Sequence, residues 1–592
     1  MKVRTSGSMP LAPMSLAVAT MLPMLLAFNF PPSPTVMGQC LAIGAWGAAV
    51  AALAARSRAL PAVAWDVWPL HSSVALCALG GALAVYASAW PVSLALSMLL
   101  TLLAVGVVVQ VAAVQLRDEE DATTGAAWFF RGLVVAGVLN AFIGIAQVWW
   151  PGALDGDWIT RSSLPDRAVG NLRQPNHLSS LLLWAVIAAV GLFEMRRLPG
   201  RWAAAIGTLL VAGVVLTGSR TGIVGVLLLA TWAGLDKRLS RPVRGALAAT
   251  PIVFGIVWFG ITQWAHATGH AFGGEGRLAL GEAADISSSR FAIWSNALSM
   301  IAREPLRGVG LGEFNLAWTL SEFPNRPTAF FDHTHNLPLQ LAVELGLPIG
   351  SLVFGLLLVA LCQAGHRAWR ADGELGSAKR SAFMLVLMIG LHSLLEYPLW
   401  YAYFLLPAAF AWGFALSQQG PSPAPLSRAR APEAEAGAKR MLMYAGTAMA
   451  LGASAAVLDY RSVVVIYEPP EFAAPLEERV VRGQHSVLYG HHADYAAATA
   501  FGTPTAPLPV AQQLAFQRAP HQLLDMRLMI AWAQALAAQG ELDKARWLAA
   551  RVREFRNPSS DEFFAPCKQQ PAAAVFQCQP PQRVVRWREF VQ

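Results

Sequence analysis

The sequence predicts an all-α polytopic membrane protein, and three observations indicate this fold class. Of its 592 residues, 55% are hydrophobic and only 14% are charged, whereas soluble domains carry about 25% charged residues. The mean hydropathy is +0.44. Apolar windows of about 18 residues or more recur along the chain, and each is long enough to cross a bilayer as a helix.

The apolar windows predict about 12–13 transmembrane helices. The first follows Lys2 and Arg4, as a signal peptide does, but it lacks a clear small-x-small cleavage site and precedes many more spans. We interpret it as an uncleaved helix, with a cleaved signal peptide as the alternative. The windows lie near 9–29, 36–55, 70–89, 92–116, 127–149, 177–194, 202–217, 221–235, 245–265, 337–361, 382–396, 400–417 and 441–458.

Basic residues in the short loops predict the orientation of these helices. Loops rich in Lys and Arg stay on the cytoplasmic side, and such loops lie near 56–58, 196–201, 237–244, 367–380 and 428–440. The opposite side, the periplasm in a bacterium, receives the larger pieces 150–176, 266–336 and 459–592. The net charge of +8 is therefore mainly a topology signal. No basic face of a soluble domain indicates nucleic-acid binding.

This orientation predicts four parts along the chain. A transmembrane core covers 1–418 and carries the large periplasmic loop 266–336. A Pro- and Ala-rich cytoplasmic linker covers 419–440. The last transmembrane helix covers 441–458, and a periplasmic helical domain covers 459–592.

One segment of the C-terminal domain resembles a unit of a helical repeat protein. Residues 523–555 show helical periodicity, a Gln-Gly break and a second helix, which is typical of one tetratricopeptide (TPR-like) unit. Such arrays need about three units for stability, so a small helical domain is the alternative. Cys567 and Cys578 fall in this domain and either pair in an oxidising compartment or remain free; the sequence leaves both open.

An amphipathic helix is predicted inside the large loop, at 287–304. Its apolar positions are Phe291, Trp294, Leu298 and Ile301. Arg290 falls in the first turn, where a cation opposes the helix dipole. That position favours an anion bound at the helix end; a solvated loop arginine is the alternative.

Two polar segments precede predicted helices on the periplasmic side. In NLRQPNHL (171–178), Pro175 fits a helix start, and Arg173, Gln174, Asn176 and His177 serve either as caps and interfacial anchors or as a site. In LTGSRTGIVG (216–225), Arg220 lies at a turn between two apolar runs. An arginine inside a bilayer costs about 2.5–3.5 kcal/mol, so it either snorkels to the headgroups or faces a polar cavity.

The segment DHTHN (332–336) carries the histidines of interest. Asn336 fits an N-cap with Pro338 in the first turn, which places His335 at the mouth of a helix. His335 is either structural or used for proton transfer or orientation. The spacing of Asp332, His333 and His335 matches no strong zinc pattern, so no metal is predicted.

Polar residues near the following apolar runs complete the set. Glu344 lies about two turns below the mouth of its helix and must meet a partner or stay protonated; we expect a hydrogen bond or ion pair with another helix. In LHSLLEYPLW (391–400), His392 and Glu396 share one helix face at i,i+4. Tyr397 follows; an aromatic belt at the interface is its structural alternative.

Arginines beside a histidine at one membrane edge would suit a phosphate-bearing lipid. Its tail would stay in the bilayer, and its diphosphate would lie among Arg220, Arg290 and Arg173. The three glycines of RGVGLGEF (307–314) follow no predicted strand, so they form no dinucleotide fingerprint. An activated donor would therefore carry its own leaving group.

On NLRQPNHL, GSRTG, FDHTHNLPLQLAVELG and LHSLLEYPLWYAYF, the chain resembles the bacterial O-antigen ligase superfamily, and more narrowly its protein O-oligosaccharyltransferases (PglL-type). The resemblance implies a GT-C-like glycosyltransferase of the bacterial inner membrane, without cofactor, metal or nucleotide. Its donor would be an undecaprenyl-pyrophosphate-linked glycan, and its acceptor a pilin or another periplasmic protein. By motif, it implies that His335 and Tyr397 are catalytic and that Arg220, Arg290 and Arg173 bind pyrophosphate. The predicted supporting residues are Asn336, His333, Gln174 and Asn176.

Three other functions remain as alternatives. Ligation of O antigen to the lipid A core would use the same donor, and polymerisation would use a second lipid-linked glycan. A lipid or solute transporter is the non-enzyme alternative. Transporters usually show internal repeats and charged residues near the midplane, whereas here no repeat is found and the polar segments lie at one edge.

Overall fold

A computed structural model gives the fold of the chain. It describes residues 11–56, 65–115, 119–164, 166–278, 283–324, 326–328, 330–418, 431–502, 504–569 and 575–591. Over these ranges the chain is 76% helical and contains no strand. The predicted all-α class is therefore confirmed.

Each of the thirteen apolar windows is mainly helical, and the window 245–265 covers parts of two helices, Arg241–Ala248 and Thr250–Thr268. Among the described residues, eight helices are long and apolar enough to cross a membrane, or nine if the bent pair α9–α10 is one span. Helices α1, α8 and α16 are apolar but shorter. The helices of the membrane part are α1 (Leu11–Leu25), α2 (Val36–Arg56), α3 (Trp68–Ser88), α4 (Val92–Gln115), α5 (Glu119–Trp149), α6 (Pro175–Glu194), α7 (Gly200–Thr217), α8 (Arg220–Leu235), α9 (Arg241–Ala248), α10 (Thr250–Thr268), α11 (Gly273–Leu278), α12 (Ala283–Arg303), α13 (Phe314–Leu320), α14 (Leu337–Arg370), α15 (Gly373–Ser393), α16 (Ala402–Leu416) and α17 (Ala431–Tyr467).

The last long helix, α17, is joined to the bundle by a close contact with α2. A Cβ added to Gly47 would lie 2.6 Å from the Gly446 carbonyl oxygen, so only glycine lets the two backbones approach this far. Small residues commonly form helix interfaces in membranes, where tight van der Waals contact replaces the hydrophobic effect.

The basic loops gather at one end of the bundle. Arg197, after α6, lies 3.4 Å from Glu374, and Arg238, after α8, lies 2.9 Å from Asp372. Helix α6 begins at the polar segment around Asn176 and ends at this basic end. The basic loops and the polar segments therefore occupy opposite ends of the same helices, as the charge pattern predicted.

Helix α14 is interrupted inside its apolar length, and the loop at 305–314 forms hydrogen bonds with the backbone groups that the interruption leaves without helical partners. Gly346 adopts φ +73°, which breaks the helical hydrogen-bond ladder. Val309 N donates to the Val343 carbonyl (2.9 Å), and Leu347 N donates to the Pro305 carbonyl (2.8 Å). Non-helical backbone at membrane depth requires such partners. The glycines of 307–314 therefore serve close backbone packing.

The predicted loop helix is present as α12, but its buried face differs from the prediction. Phe291 and Leu298 are 67% and 59% exposed, whereas Ile293 and Ala297 are fully buried. The reason is that α12 packs against α14 and against the C-terminal domain, so tertiary contacts set its rotation.

The C-terminal domain is helical, as predicted, and shares one core with the large loop. Helices α21 and α22 form a hairpin, so the helix pair predicted for 523–555 is present; its kinship with a TPR array remains a prediction. The structure joins Cys567 and Cys578 in a disulfide. The helices of this domain are α18 (Leu476–Gln484), α19 (Gly490–Thr499), α20 (Val510–Arg518), α21 (Met526–Ala538), α22 (Leu542–Glu554), α23 (Asp561–Phe564) and α24 (Pro566–Gln569).

Buried polar contacts fix the large loop to this domain. His521 Nδ1 lies 2.7 Å from Glu313 Oε1, and both side chains are almost fully buried. Leu524 N donates to Asn315 Oδ1 (2.7 Å), and Trp547 Nε1 donates to the Leu320 carbonyl (2.8 Å). The loop that leads to His335 is thus held by the C-terminal domain as well as by the membrane helices.

Candidate active site

A carboxylate absent from the predicted site residues lies at the centre of the polar cluster. Glu396 follows the end of α15, and its side chain is only 5% exposed. Its Oε2 lies 2.7 Å from His335 Nδ1. Its Oε1 accepts hydrogen bonds from Asn176 Nδ2 (2.8 Å) and from Arg290 Nη2. We call Glu396, His335, Arg290 and Asn176 the Glu396 cluster.

The charge state of Glu396 follows from two opposing effects. Burial raises the pKa of this carboxyl group. The hydrogen bond from His335 and the electrostatic interactions with His335 and Arg290 outweigh burial and lower the pKa to about 2. Glu396 is therefore ionised at neutral pH and is a fixed negative charge beside the imidazole.

His335 is held by its neighbours in an unusual backbone conformation. Its φ is +54°, in the left-handed region, which costs a residue with a Cβ about 1–2 kcal/mol. Asn336 caps α14, because its Oδ1 accepts from Leu339 N (3.1 Å). Trp294 Nε1 donates to the Thr334 carbonyl (2.8 Å). Non-glycine residues held this way occur often at functional sites.

Aromatic contacts form one wall of the cluster. The Tyr397 ring stacks on His333 at 4.4 Å between centroids and meets the His335 ring edge-on at 5.0 Å. Burial raises the pKa of Tyr397, so the phenol keeps its proton. Asp332 Oδ1 lies 3.0 Å from His333 Nδ1, whereas His335 faces Glu396. In the described ranges, no three His, Cys, Asp or Glu side chains form a potential metal site.

The GSRTG turn joins the cluster through a serine. Ser219 Oγ donates to Asn176 Oδ1 (2.6 Å) and accepts from Gly222 N (3.0 Å), which makes Ser219 the N-cap of α8. Gly218 provides the predicted tight turn with φ +55°. Arg220 is the next residue, half-buried at the start of α8. Its neighbour Ser219 is thus linked to Glu396 through Asn176 by two hydrogen bonds. The role of Arg220 as a pyrophosphate ligand stays a prediction.

The segment around Arg173 is tied into the scaffold. Gln174 is the N-cap of α6, because its Oε1 accepts from His177 N (2.7 Å), and Pro175 begins the helix as predicted. Arg173 adopts φ +60° and donates from Nη2 to the Ala27 carbonyl. The capping alternative is therefore confirmed for Gln174. A diphosphate contact of Arg173 stays a prediction.

The predicted position of Arg290 in its helix was wrong. Helix α12 begins at Ala283, so Arg290 lies in its third turn and not in the first. The argument from the helix dipole therefore fails, since that effect falls off within the first turn. The anion beside Arg290 is the Glu396 carboxylate.

Glu344 and His392 each have a partner on another helix. Glu344 accepts a hydrogen bond from Phe314 N (3.4 Å), the first residue of α13, which confirms the expected bond to another helix. His392 Nδ1 lies 2.7 Å from Ser180 Oγ, so its partner is on α6. His392 and Glu396 thus serve different contacts despite their i,i+4 spacing.

Parts of the chain are similar to families of membrane glycan ligases and polymerases. Residues 203–360 match the family "O-Antigen ligase", residues 168–193 match "Protein glycosylation ligase", and residues 381–566 match "Virulence factor membrane-bound polymerase, C-terminal". Asn176, Arg290, His335 and Glu396 fall within these three segments, so the Glu396 cluster is built from all of them.

Two curated relatives from Acinetobacter baylyi narrow the resemblance. A "General O-oligosaccharyltransferase" is 27% identical over 258 residues, which cover 43% of this chain and 44% of the relative. A "ComP-specific O-oligosaccharyltransferase" is 26% identical over 269 residues, covering 43% and 45%. The chain spans less than half the length of these relatives. The resemblance to PglL-type protein O-oligosaccharyltransferases is confirmed.

Proposed function

We propose that this protein transfers an oligosaccharide en bloc from undecaprenyl pyrophosphate to Ser or Thr hydroxyls of periplasmic proteins, pilins among them. It would do so in the bacterial inner membrane, with the Glu396 cluster facing the periplasm. The observation that carries the proposal is the contact of His335 Nδ1 with the ionised Glu396 at the end of the bundle opposite the basic loops. Both curated relatives are named O-oligosaccharyltransferases, which supports this proposal.

In this proposal His335 is the general base. Glu396 accepts a hydrogen bond from Nδ1–H of the neutral imidazole, which leaves the Nε2 lone pair free to accept a proton, as in carboxylate–histidine pairs of hydrolases. Nε2 takes the proton of the acceptor hydroxyl while its oxygen attacks the anomeric carbon. The bond from that carbon to the diphosphate oxygen breaks, and its electron pair leaves with undecaprenyl pyrophosphate. A single displacement inverts the anomeric configuration.

Cationic side chains would bind the diphosphate and the charge that grows on it. We assign this role to Arg220 and Arg290, with Arg173 further along the same edge. Preorganised cations in a site that excludes water stabilise a leaving group efficiently. Tyr397 keeps its proton and lies against His335, so it would orient the imidazole or donate to the sugar. The donor carries its own leaving group, so the scheme requires no nucleotide.

The family matches also favour a second candidate, ligation or polymerisation of O antigen. One experiment separates these functions. The purified protein receives lipid-linked glycan with a pilin-like protein, with lipid A core, or with a second lipid-linked glycan. We expect a mass increase of one intact glycan on the protein alone. An increase only on the lipid A core or on the second glycan would overturn the proposal, and no change on any acceptor would favour a transporter.

A further inference from the structure

A cleft rich in arginine lies in the C-terminal domain, where it joins the large loop. Its volume is about 400 Å³, within the range of ligand sites. We call it the arginine cleft. It is lined by Phe323, Pro324, Arg326, Ala550, Arg551, Arg553, Glu554, Arg556, Gln577, Gln579, Pro580 and Pro581.

Two buried guanidinium groups share one carboxylate in this cleft. Arg326 and Arg551 are each only 3% exposed. Arg326 Nε lies 2.9 Å from Glu554 Oε2, and Arg551 Nη2 lies 2.8 Å from Glu554 Oε1. A second carboxylate, on the mostly exposed Glu322, lies 3.9 Å from Arg551. Glu554 is in close contact with both buried cations, whereas Glu322 is more distant and mostly exposed, so the interior of the cleft favours a further anion.

Donor atoms of both arginines remain without an acceptor. Arg326 Nη1, Arg551 Nε and Arg551 Nη1 are buried and have no hydrogen-bond partner among the residues that the structure describes. Unsatisfied buried donors are rare in native proteins, and they often indicate a bound ion or water. Burial lowers the pKa of Arg326 to about 10, so the group stays charged at neutral pH.

The rim of the cleft adds charge and an apolar surface. Arg553 and Arg556 are exposed at this rim. Phe323, Ala550 and three prolines, Pro324, Pro580 and Pro581, form the apolar part of the lining. Guanidinium groups match the two oxygens of a carboxylate, and an aromatic and proline-rich surface suits the apolar side chains of an extended peptide.

We infer that the arginine cleft binds a peptide segment that carries Asp or Glu beside an apolar residue. The further statement that this segment belongs to the glycan acceptor rests on the proposed function. It is supported by the chain itself, because Arg326 and His335 are nine residues apart on the same loop. Their Cα atoms therefore lie within about 30 Å of each other. Phe330, between them, stacks on Phe555 at 4.0 Å, which fixes the loop to the domain.

This placement suggests how the cleft would contribute to transfer. A segment bound there would present a hydroxyl to His335 from within about nine extended residues. Binding would raise the local concentration of the hydroxyl without any contact to the donor. The cleft would therefore select acidic acceptors, while the Glu396 cluster carries out the chemistry.

The test is a binding measurement on the full-length protein in detergent micelles. The probe is a fluorescein-labelled, C-terminally amidated peptide with two glutamates beside a proline and a phenylalanine, followed by fluorescence anisotropy. A second peptide replaces both glutamates with glutamine. We expect at least about tenfold weaker binding of the glutamine peptide, and weaker binding of the glutamate peptide at high salt.

Exposed arginines provide a variant and a matched control. The double variant Arg553→Gln/Arg556→Gln should bind the glutamate peptide about tenfold more weakly. Arg527→Gln is the control, because Arg527 is also exposed and donates to a backbone carbonyl, as Arg553 does, but lies outside the cleft. Equal binding of both peptides, unchanged binding by the double variant, or no binding at all would overturn the inference.

The assay also separates this inference from the proposed function. It needs neither donor nor catalysis, so His335→Ala should bind the glutamate peptide as the wild type does. If the protein transfers glycan but binds no acidic peptide, the cleft inference alone fails. If it binds the peptide but transfers nothing, the proposed function fails and carboxylate binding stands.

Discussion

The Glu396 cluster and the arginine cleft each place one glutamate carboxylate between two basic side chains. At the membrane edge, Glu396 lies between Arg290 and His335. In the C-terminal domain, Glu554 lies between Arg326 and Arg551. The two arrangements differ in one basic group, which is an imidazole in the first and a guanidinium in the second.

That difference determines what each site is suited for. An imidazole gains and loses a proton near neutral pH, so the Glu396 cluster suits proton transfer. A guanidinium stays charged in proteins, so the arginine cleft suits binding of an anion without chemistry. The Glu396 carboxylate therefore orients a base, whereas the Glu554 carboxylate limits excess positive charge.

The largest effect is expected for His335→Ala, which removes the only side chain in either arrangement suited to accept the hydroxyl proton. Glycan transfer should fall about 10²–10⁴-fold, the usual contribution of a general base. The measurement is the initial rate of glycan transfer to a pilin-like protein. His270→Ala is the control, because His270 is exposed and stacks on Trp264 away from the cluster. Full activity of His335→Ala would remove this residue from the mechanism.

The next effect concerns the cation assigned to the leaving group. Arg220→Ala should lower the transfer rate about 10²–10³-fold, because a preorganised donor to the leaving diphosphate is lost. Arg241→Ala is a matched control: Arg241 also begins a helix, α9, but at the basic end of the bundle. Equal losses in both variants would indicate a general effect on folding or insertion, which size-exclusion profiles of both variants would reveal.

Removing each central carboxylate should have opposite consequences. Glu396→Gln should lower kcat about 10–100-fold with little change in KM, because the imidazole loses its orienting partner. Glu396→Asp should restore part of the loss.

Glu554→Gln should instead tighten binding of the glutamate peptide about threefold, since it removes an anion that competes for Arg326 and Arg551. Weaker peptide binding by Glu554→Gln would contradict the comparison.

The low pKa of Glu396 predicts a pH dependence of stability. Its folded-state pKa of about 2 lies below the ordinary value of 4.5, so its contribution is complete above about pH 5 and is lost as pH falls toward about 2. Glu396→Gln lacks this contribution. The Tm difference between wild type and variant should therefore be constant near neutral pH and shrink between about pH 5 and pH 3. A difference that grows on acidification would contradict the assigned charge state.

Local patterns predicted the helices and some of their ends, but not the starts of α12 and α17, and they did not predict the centre of the site. The cap at Asn336 and the helix start at Pro175 depend on neighbouring residues, so they are visible in the sequence. Glu396 meets Asn176, Arg290 and His335 across 220, 106 and 61 positions. Its local signals were the i,i+4 spacing from His392 and a position beside an apolar run, two residues before Pro398.

Tertiary packing accounts for the remaining differences from prediction. The start and the buried face of α12 are set by contacts with α14 and the C-terminal domain, which no periodicity within 287–304 specifies. The arginine cleft joins residues near 323–326 to residues near 550–581, so it was invisible in either segment alone. The sequence thus indicated the residue types of the site and missed the contacts that arrange them.

The smallest effect is expected from reduction of the disulfide, which should change the arginine cleft and leave the Glu396 cluster unchanged. Cys567 and Cys578 form a disulfide, and Cys578 lies between Gln577 and Gln579, which line the arginine cleft. Reduction should loosen this rim and weaken glutamate-peptide binding about threefold, since closing a loop of this size stabilises a domain by about 3 kcal/mol. Activity on a small soluble hydroxyl acceptor that needs no cleft should stay unchanged, because the Glu396 cluster contains no cysteine. Cys567→Ser/Cys578→Ser, assayed with and without dithiothreitol, is the control: a response of this variant to the reductant would show that another thiol is responsible.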